Sequence, residues 1–95
     1  MIRIAIGEDH QSLIDGIALL IRDEAHIQLV CSATNGLELV QAVRKHQPDV
    51  IITDIRMPKM DGIQATEIIK KEFPEIAVIA FTMFDQQDAV QQMLD

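Results

Sequence analysis

Short apolar runs rich in β-branched residues alternate along the chain with longer segments in which apolar residues recur at helical spacing. The apolar runs predict four strands, at Ile2–Gly7, Ile27–Ala33, Val50–Asp54 and Ala77–Phe81. The periodic segments predict helices near residues 12–24, 36–46 and 62–71, with a fourth that begins near Gln86. This alternation is typical of a parallel sheet whose crossover helices cover its faces.

Two of the predicted helices carry an apolar stripe that would pack on the sheet. Its members are Leu13, Ile17, Leu20 and Ile21 in the first helix and Leu37, Val40 and Val43 in the second. Asn35 and Asp61 stand where they can cap the second and third helices. Because crossovers between parallel strands are right-handed, a doubly wound α/β sheet is the simplest topology.

Polar residues follow three of the four predicted strands. Strand one is followed by Glu8 and Asp9, strand three ends in Asp54, and strand four is followed by Thr82. Since ligands bind such sheets at the carboxyl ends of the strands, these side chains are expected to converge. Three carboxylates in a small space are unfavourable unless a cation lies among them.

An all-oxygen set of this kind favours a hard divalent ion, and Mg²⁺ is the natural choice. The predicted set has no cysteine or histidine ligand, which argues against zinc, although Mn²⁺ could substitute. His10 follows the acidic pair and could be taken for a metal ligand or a phosphohistidine, but we expect this residue to pack or to cap at the start of the first helix. A carboxylate beside the metal can act as a nucleophile toward phosphorus, so Asp54 is a candidate phosphoacceptor, with Thr82 as a donor to a phosphoryl oxygen.

Three motifs in this order, GEDH, DVIITDIRMPKMDG and AFTMFD, resemble those of the receiver domain of two-component response regulators. The stretches NGLELVQAVRKHQPDV and FDQQDAVQQML are most similar to the NarL/LuxR-type subgroup, whose members usually carry a helix-turn-helix DNA-binding domain further along. The resemblance implies a flavodoxin-like receiver fold with strand order 2-1-3-4. It also implies a bacterial protein that controls transcription and takes a phosphoryl group from a sensor histidine kinase.

Residue roles follow from the resemblance position by position. It implies that Asp54 is the phosphoacceptor and that Thr82 is the switch hydroxyl. The Mg²⁺ ligands would be Glu8, Asp9, Asp54 and the backbone carbonyl of Arg56. Such a domain is not an enzyme in the usual sense, although it assists its own phosphorylation and dephosphorylation.

A receiver normally has a fifth strand and helix, with a lysine that pairs with the phosphoryl group. This sequence stops at Asp95, so residues 1–95 are interpreted as a receiver domain that is incomplete at its C-terminal side, most simply a fragment of a longer regulator. Without a fifth strand, the run AVIAFT would be an exposed apolar edge. We therefore expect self-association through strand four or an exchanged element.

The amino-acid composition argues against some classes of binding partner. With 15 acidic and 8 basic side chains and a net charge of −7, the domain lacks the basic surface that direct contact with nucleic acid or an anionic membrane requires. The single cysteine, Cys31, is predicted to be buried, and no apolar run has the length of a signal peptide or membrane span. These features predict a cytoplasmic protein.

Two alternative functions are compatible with an aspartate nucleophile on this sheet. A Mg²⁺-dependent phosphohydrolase usually has a second aspartate two residues after the first, which acts as the general acid. This chain has Arg56 at that position, which argues against turnover of a substrate. A pseudo-receiver that binds partners without accepting phosphate is disfavoured by the intact acids and stays open because the lysine is missing. A nucleotide-binding fold is weakest, because the chain contains neither GxGxxG nor a P-loop lysine.

Overall fold

The computed structural model describes residues 1–81, which form four strands and three helices in strict alternation. The strands are β1 (Ile2–Gly7), β2 (Ile27–Ala33), β3 (Val50–Asp54) and β4 (Ala77–Phe81), and the helices are α1 (Gln11–Ile21), α2 (Gly36–His46) and α3 (Gly62–Glu72). All four predicted strands are confirmed. Thr82 and the predicted fourth helix lie outside the described residues.

The strands are parallel and lie in the order β2-β1-β3-β4. The doubly wound α/β fold with strand order 2-1-3-4 is therefore confirmed for the described part of the chain. In the pairing of β1 with β3, Gly7 lies opposite Thr53, and in the pairing of β1 with β2 it lies opposite Ala33. The carboxyl ends of these strands consequently meet at one edge of the sheet.

Each face of the sheet has its own apolar layer, as expected when successive side chains of a strand point to opposite faces. One layer joins the sheet to α2 and α3, and its fully buried members include Ala5, Leu39, Val43, Ile51 and Ala65. The other layer joins the sheet to α1 through Ile4, Ile6 and Ile14. The helices thus cover both faces, which is the layered arrangement predicted from the sequence.

The predicted apolar stripes of two helices were partly wrong. In α1 the buried residue is Ile14, whereas Leu13 is exposed and Leu20 is 79% exposed. In α2 the buried face includes Leu39, and Leu37 is exposed. The other outcome is that Val40 and Val43 are buried and that Ile17 packs against the core, so these members of the predicted stripes are confirmed.

The end of α1 and the environment of Cys31 also differ from prediction. The helix ends at Ile21, three residues earlier than predicted, and the chain turns there because the Glu24 amide donates to the Ile21 carbonyl (3.1 Å). Cys31 is half-buried rather than buried, and burial raises the pKa of its thiol. None of the helices within residues 1–81 is long and apolar enough to cross a membrane.

The predicted caps of α2 and α3 are confirmed. The Asn35 carboxamide accepts from the Glu38 amide at 2.9 Å. Asp61 and Gln64 form a reciprocal capping box, with the Gln64 amide 2.8 Å from Asp61 Oδ1. Such caps satisfy backbone donors that a helix leaves unpaired at its start. They fix where both helices begin, next to the carboxyl edge of the sheet.

The start of α2 lies against the loop that joins β3 to α3. The Gly36 amide donates to the Met60 carbonyl at 2.8 Å, and a Cβ added to Gly36 would overlap that same carbonyl group. A side chain here would have to displace backbone rather than another side chain. Gly36 is therefore required for the close approach of α2 to the loop.

We expect Gly36→Ala to lower the free energy of unfolding by about 1–3 kcal/mol, because it overpacks a backbone contact. Gly16→Ala is the matched control: Gly16 lies inside α1 with nothing near its Cβ position, so this change should stabilise by about 0.5–1 kcal/mol. Urea unfolding followed by circular dichroism measures both. Equal stability of the two variants would show that Gly36 is not under steric constraint.

Candidate functional site

Two carboxylates are buried side by side at the carboxyl edge of the sheet. Asp54 is the last residue of β3, and Glu8 directly follows Gly7, which is paired with Thr53. Glu8 is 1% exposed and Asp54 is 4% exposed. The Glu8 amide donates to the Ala33 carbonyl at 2.9 Å, which extends the β1–β2 pairing by one residue and fixes the acid at this edge.

The Asp54 side chain is oriented by its own backbone. Its Oδ1 atom accepts from the Ile55 amide at 2.7 Å, and the hydroxyl of the fully buried Thr53 donates to the Asp54 carbonyl at 2.9 Å. One carboxylate oxygen is therefore fixed by a donor. A carboxylate held in one orientation at a strand end is suited to react with, or to bind, an electrophile or cation.

The electrostatics around Glu8 are unfavourable for its charged form. Burial raises the pKa of the Glu8 carboxyl, and the nearby charge of Asp54 raises it further, while hydrogen bonds from His10 oppose both effects. Like charges held close together in a desolvated position repel unless a cation lies among them. The edge is thus built to attract positive charge.

The His10 ring lies against these acids. Its Nδ1 atom lies 2.6 Å from Glu8 Oε1 and 3.1 Å from Asp9 Oδ1. The hydrogen bond to Glu8, followed by the charge of Asp9, raises the pKa of the His10 imidazole. The acids therefore favour the protonated form of the ring.

His10 lies at the start of α1, as expected, and is the N-cap residue of that helix. Its side chain is 69% exposed and makes no capping hydrogen bond. Only its backbone serves the start of α1, since the His10 carbonyl accepts from the Leu13 amide at 3.0 Å and from the Ile14 amide at 3.2 Å. The ring is free to turn toward the acids, and it does.

The predicted metal ligands are only partly gathered. Potential ligand atoms of Glu8, Asp9 and His10 all lie within 4.8 Å of one another, and Asp54 is not part of that group. The ligand set stays a prediction, and the structure adds that the His10 ring lies beside the acidic pair. The sequence places this histidine beside the acids, but residue spacing does not determine the direction of its ring.

Arg56 lies in the loop between β3 and α3 and is exposed. Its backbone carbonyl is one of the predicted metal ligands. The end of this loop contacts the residue after β3, because the Gly62 amide donates to the Ile55 carbonyl at 2.6 Å. A Cβ added at Gly62 would overlap the Asp54 carbonyl oxygen. This contact requires glycine and keeps the backbone of the loop close to Asp54.

The same loop contains a strained residue. Lys59 has φ 68°, and the amide of Met60 donates to the carbonyl of Pro58 at 2.7 Å. A three-residue turn with positive φ at its centre is rare and costs free energy for any residue with a side chain. Strain of this kind is often found beside functional sites, where the surrounding structure holds it in place.

The donors at this edge suit Mg²⁺. Mg²⁺ prefers oxygen ligands and typically takes one or two carboxylates while it keeps several waters. The buried acids Glu8 and Asp54 offer such ligands, and Asp9 is more exposed beside them. Burial, and after it the nearby charge of Asp54, raises the pKa of Glu8, and a divalent cation would offset both effects.

Residues 4–95 match the sequence family described as the response regulator receiver domain. The chain belongs to this family. The receiver domain identified here thus includes the parallel sheet, the acidic edge and the loop after β3. The predicted resemblance is confirmed.

The relatives of this receiver domain include the oxygen regulatory protein NreC of Staphylococcus epidermidis, which is 34% identical over 93 residues. That alignment covers 97% of this chain and 43% of NreC, so the chain spans less than half the length of this relative. An oxygen regulatory protein is thus similar to the present chain over nearly all of this chain's residues.

Solved structures agree with the fold and the subgroup. The signal receiver domain of the putative response regulator NarL from Mycobacterium tuberculosis has a TM-score of 0.86 and 26% identity, covering 98% of this chain and 75% of that one. RcsB from Salmonella enterica, bound to promoter rprA with a phosphomimetic BeF₃⁻, has a TM-score of 0.88 and 26% identity, covering 100% and 49%. The receiver domain is of the NarL/LuxR type.

We expect Lys59→Gly to be neutral or to stabilise this receiver domain by up to about 1 kcal/mol, because glycine adopts positive φ without the Cβ penalty. Glu67→Gly, at an exposed position inside α3, is the control and should destabilise by about 1 kcal/mol. Both are measured by urea unfolding. A loss in Lys59→Gly as large as that in Glu67→Gly would argue against strain at Lys59.

Proposed function

We propose that this receiver domain accepts a phosphoryl group from a sensor histidine kinase on Asp54, and that the modification controls an output in a longer protein. The observation that carries the proposal is the burial of Asp54 beside Glu8, with one carboxylate oxygen fixed by the Ile55 amide. This arrangement leaves a positioned carboxylate in a setting that attracts cations.

In the proposed reaction, a carboxylate oxygen of Asp54 attacks the phosphorus of a phosphohistidine. The new bond is an acyl phosphate, and the bond from phosphorus to the histidine nitrogen breaks, so that the imidazole departs with the electron pair. Such transfers depend mainly on positioning and on neutralising the charge of the phosphoryl oxygens. The fixed orientation of Asp54 supports the first requirement.

Mg²⁺ would meet the second requirement by neutralising charge on the phosphoryl oxygens when bound. Glu8, Asp9, Asp54 and the backbone carbonyl of Arg56 would hold it. Thr82 would donate its hydroxyl to the phosphoryl group as the switch residue, by its position directly after β4. The buried acids and the loop held close by Gly62 support this assignment.

A regulatory role is favoured over turnover of a phosphorylated substrate. The family is one of response regulators, and the position two residues after Asp54, where an aspartyl phosphohydrolase has its general acid, is occupied by Arg56. A guanidinium cannot deliver a proton at neutral pH. We propose that the domain assists only its own phosphorylation and dephosphorylation.

The output is proposed to be transcription, exerted by another part of a longer cytoplasmic protein. The similarity to RcsB bound to a promoter supports this assignment. The net charge of −7 makes direct contact between this domain and DNA unfavourable. Acyl phosphate formation would instead shift a conformational equilibrium that the output domain senses.

Intact mass spectrometry after incubation with Mg²⁺ and acetyl phosphate tests the proposal. The chain should gain the mass of one phosphoryl group, because Asp54 is the only proposed acceptor, and removal of Mg²⁺ with a chelator should abolish the gain. Asp54→Asn should remain unmodified.

Asp61→Asn serves as a matched control, since it changes another acid of the same loop and keeps a side chain that can cap α3. It should still be modified. Equal modification of the Asp54→Asn variant would refute the assignment of Asp54. A folded chain that gains no mass with Mg²⁺ present would favour the pseudo-receiver alternative.

We also propose that the chain self-associates through β4. Within the described residues β4 is the last strand of the sheet order, and its central residue Ile79 is 54% exposed. Strands that end a sheet offer unpaired backbone groups to other chains, and apolar side chains strengthen such contacts.

Ile79→Lys should therefore lower the fraction of dimer in sedimentation velocity at high concentration, because a charged side chain opposes pairing at that strand. Gln28→Lys, which adds the same charge at an exposed position of β2, should leave the fraction unchanged. A monomer at all concentrations in the unsubstituted chain would contradict self-association. Equal effects of the two substitutions would place the contact elsewhere.

A further inference from the structure

Thr53 is a polar residue that lies directly before the proposed phosphoacceptor. It is fully buried within β3, where the three residues before it are Val50, Ile51 and Ile52. A valine has nearly the same shape and suits a buried strand, whereas a buried hydroxyl is costly unless it finds a hydrogen-bond partner. Packing alone therefore does not account for the hydroxyl.

The partner of this hydroxyl belongs to the peptide unit that holds the Asp54 carboxylate. Thr53 Oγ1 donates to the Asp54 carbonyl oxygen at 2.9 Å, and the Ile55 amide of the same peptide unit donates to Asp54 Oδ1 at 2.7 Å. Because a peptide unit is planar, its carbonyl and its N–H turn together. A bond that fixes the carbonyl consequently also fixes the direction of the N–H that holds the carboxylate.

The neighbouring strand leaves room for this hydroxyl. Gly7 of β1 is paired with Thr53, and a Cβ added to Gly7 would lie 2.8 Å from Thr53 Oγ1 and 2.9 Å from Leu39 Cδ2. Real Cβ atoms essentially never come so close to another heavy atom. The absence of a side chain at Gly7 thus preserves the position from which Thr53 donates.

We propose that Thr53 is a positioning residue whose hydroxyl, through the peptide unit between Asp54 and Ile55, sets the orientation in which Asp54 attacks phosphorus. The inference rests on the function proposed above. Phosphoryl transfer depends on the alignment of the attacking oxygen, so a small displacement of that oxygen lowers the rate. Because Thr53 is fully buried, it acts through Asp54 and not on the phosphoryl group directly.

Thr53→Val removes the hydroxyl and keeps the shape of the side chain. With Mg²⁺ and acetyl phosphate, this variant should gain a phosphoryl group about tenfold more slowly than the unsubstituted chain, measured by intact mass against time. In an isotope-labelled chain, the NMR resonance of the Ile55 amide proton should move upfield, because its hydrogen bond to Asp54 Oδ1 is weakened. Thr53→Ser, which keeps a hydroxyl, should recover most of the rate and of the shift.

Thr66→Val is the matched control. The hydroxyl oxygen of Thr66 in α3 is buried and has no hydrogen-bond partner among residues 1–81. The same chemical change should therefore leave both the rate of phosphorylation and the Ile55 amide resonance unchanged. The dispersion of the remaining amide resonances shows that each variant is folded.

The possible outcomes separate this proposal from the proposed function. An unchanged rate or an unchanged Ile55 amide resonance in Thr53→Val would overturn the role of the hydroxyl and leave Asp54 as the acceptor. Equal slowing in Thr66→Val, or no recovery in Thr53→Ser, would also overturn it, because the loss would then come from packing. If the unsubstituted chain gained no phosphoryl group, the proposed function would fail, and the Ile55 resonance alone would decide whether Thr53 orients Asp54.

Discussion

The burial of two carboxylates at neighbouring strand ends is the constraint on which the rest of this structure depends. The register of β1 and β3 places Glu8 beside Asp54, and both are almost fully removed from solvent. Burial alone raises the pKa of Glu8, and the charge of Asp54 raises it further. The fold therefore carries an unfavourable interaction at its functional edge that a bound cation would relieve. Stability is lost in the ion-free state so that the edge can bind positive charge, a common conflict between stability and function.

The loop beside these acids is held in place largely by contacts between backbone groups. The loop after β3 contacts the strand end at Gly62 and the start of α2 at Gly36, and in both places a Cβ would overlap a carbonyl group. The capped start of α3 and the strained turn at Lys59 complete the loop. Contacts between backbone groups adjust less than side-chain packing does, because no rotamer change can relieve them. The loop that carries the Arg56 carbonyl is consequently held close to Asp54 from two sides.

The sequence allowed the strands to be predicted to the residue, because each apolar run ends in, or is directly followed by, an acid, a glycine or another polar residue. The acids of the site followed from the rule that parallel strands present their carboxyl ends at one edge. Helix faces were harder: α1 has more apolar residues than it buries, so the choice between Leu13 and Ile14 depended on the docking angle, which spacing does not encode. Its early end has no glycine or proline to signal it. The assignments of Thr82 and the fourth helix stay predictions.

The orientation of the His10 ring could not be inferred from residue spacing. A histidine at the first turn of a helix has several rotamers, and only the contacts with Glu8 and Asp9 select the one observed. Those contacts lie on the β1 side of the edge, whereas Asp54 lies on β3 and outside the cluster that His10 forms. The direction of the ring thus depends on contacts with the neighbouring acids, which residue spacing alone does not encode.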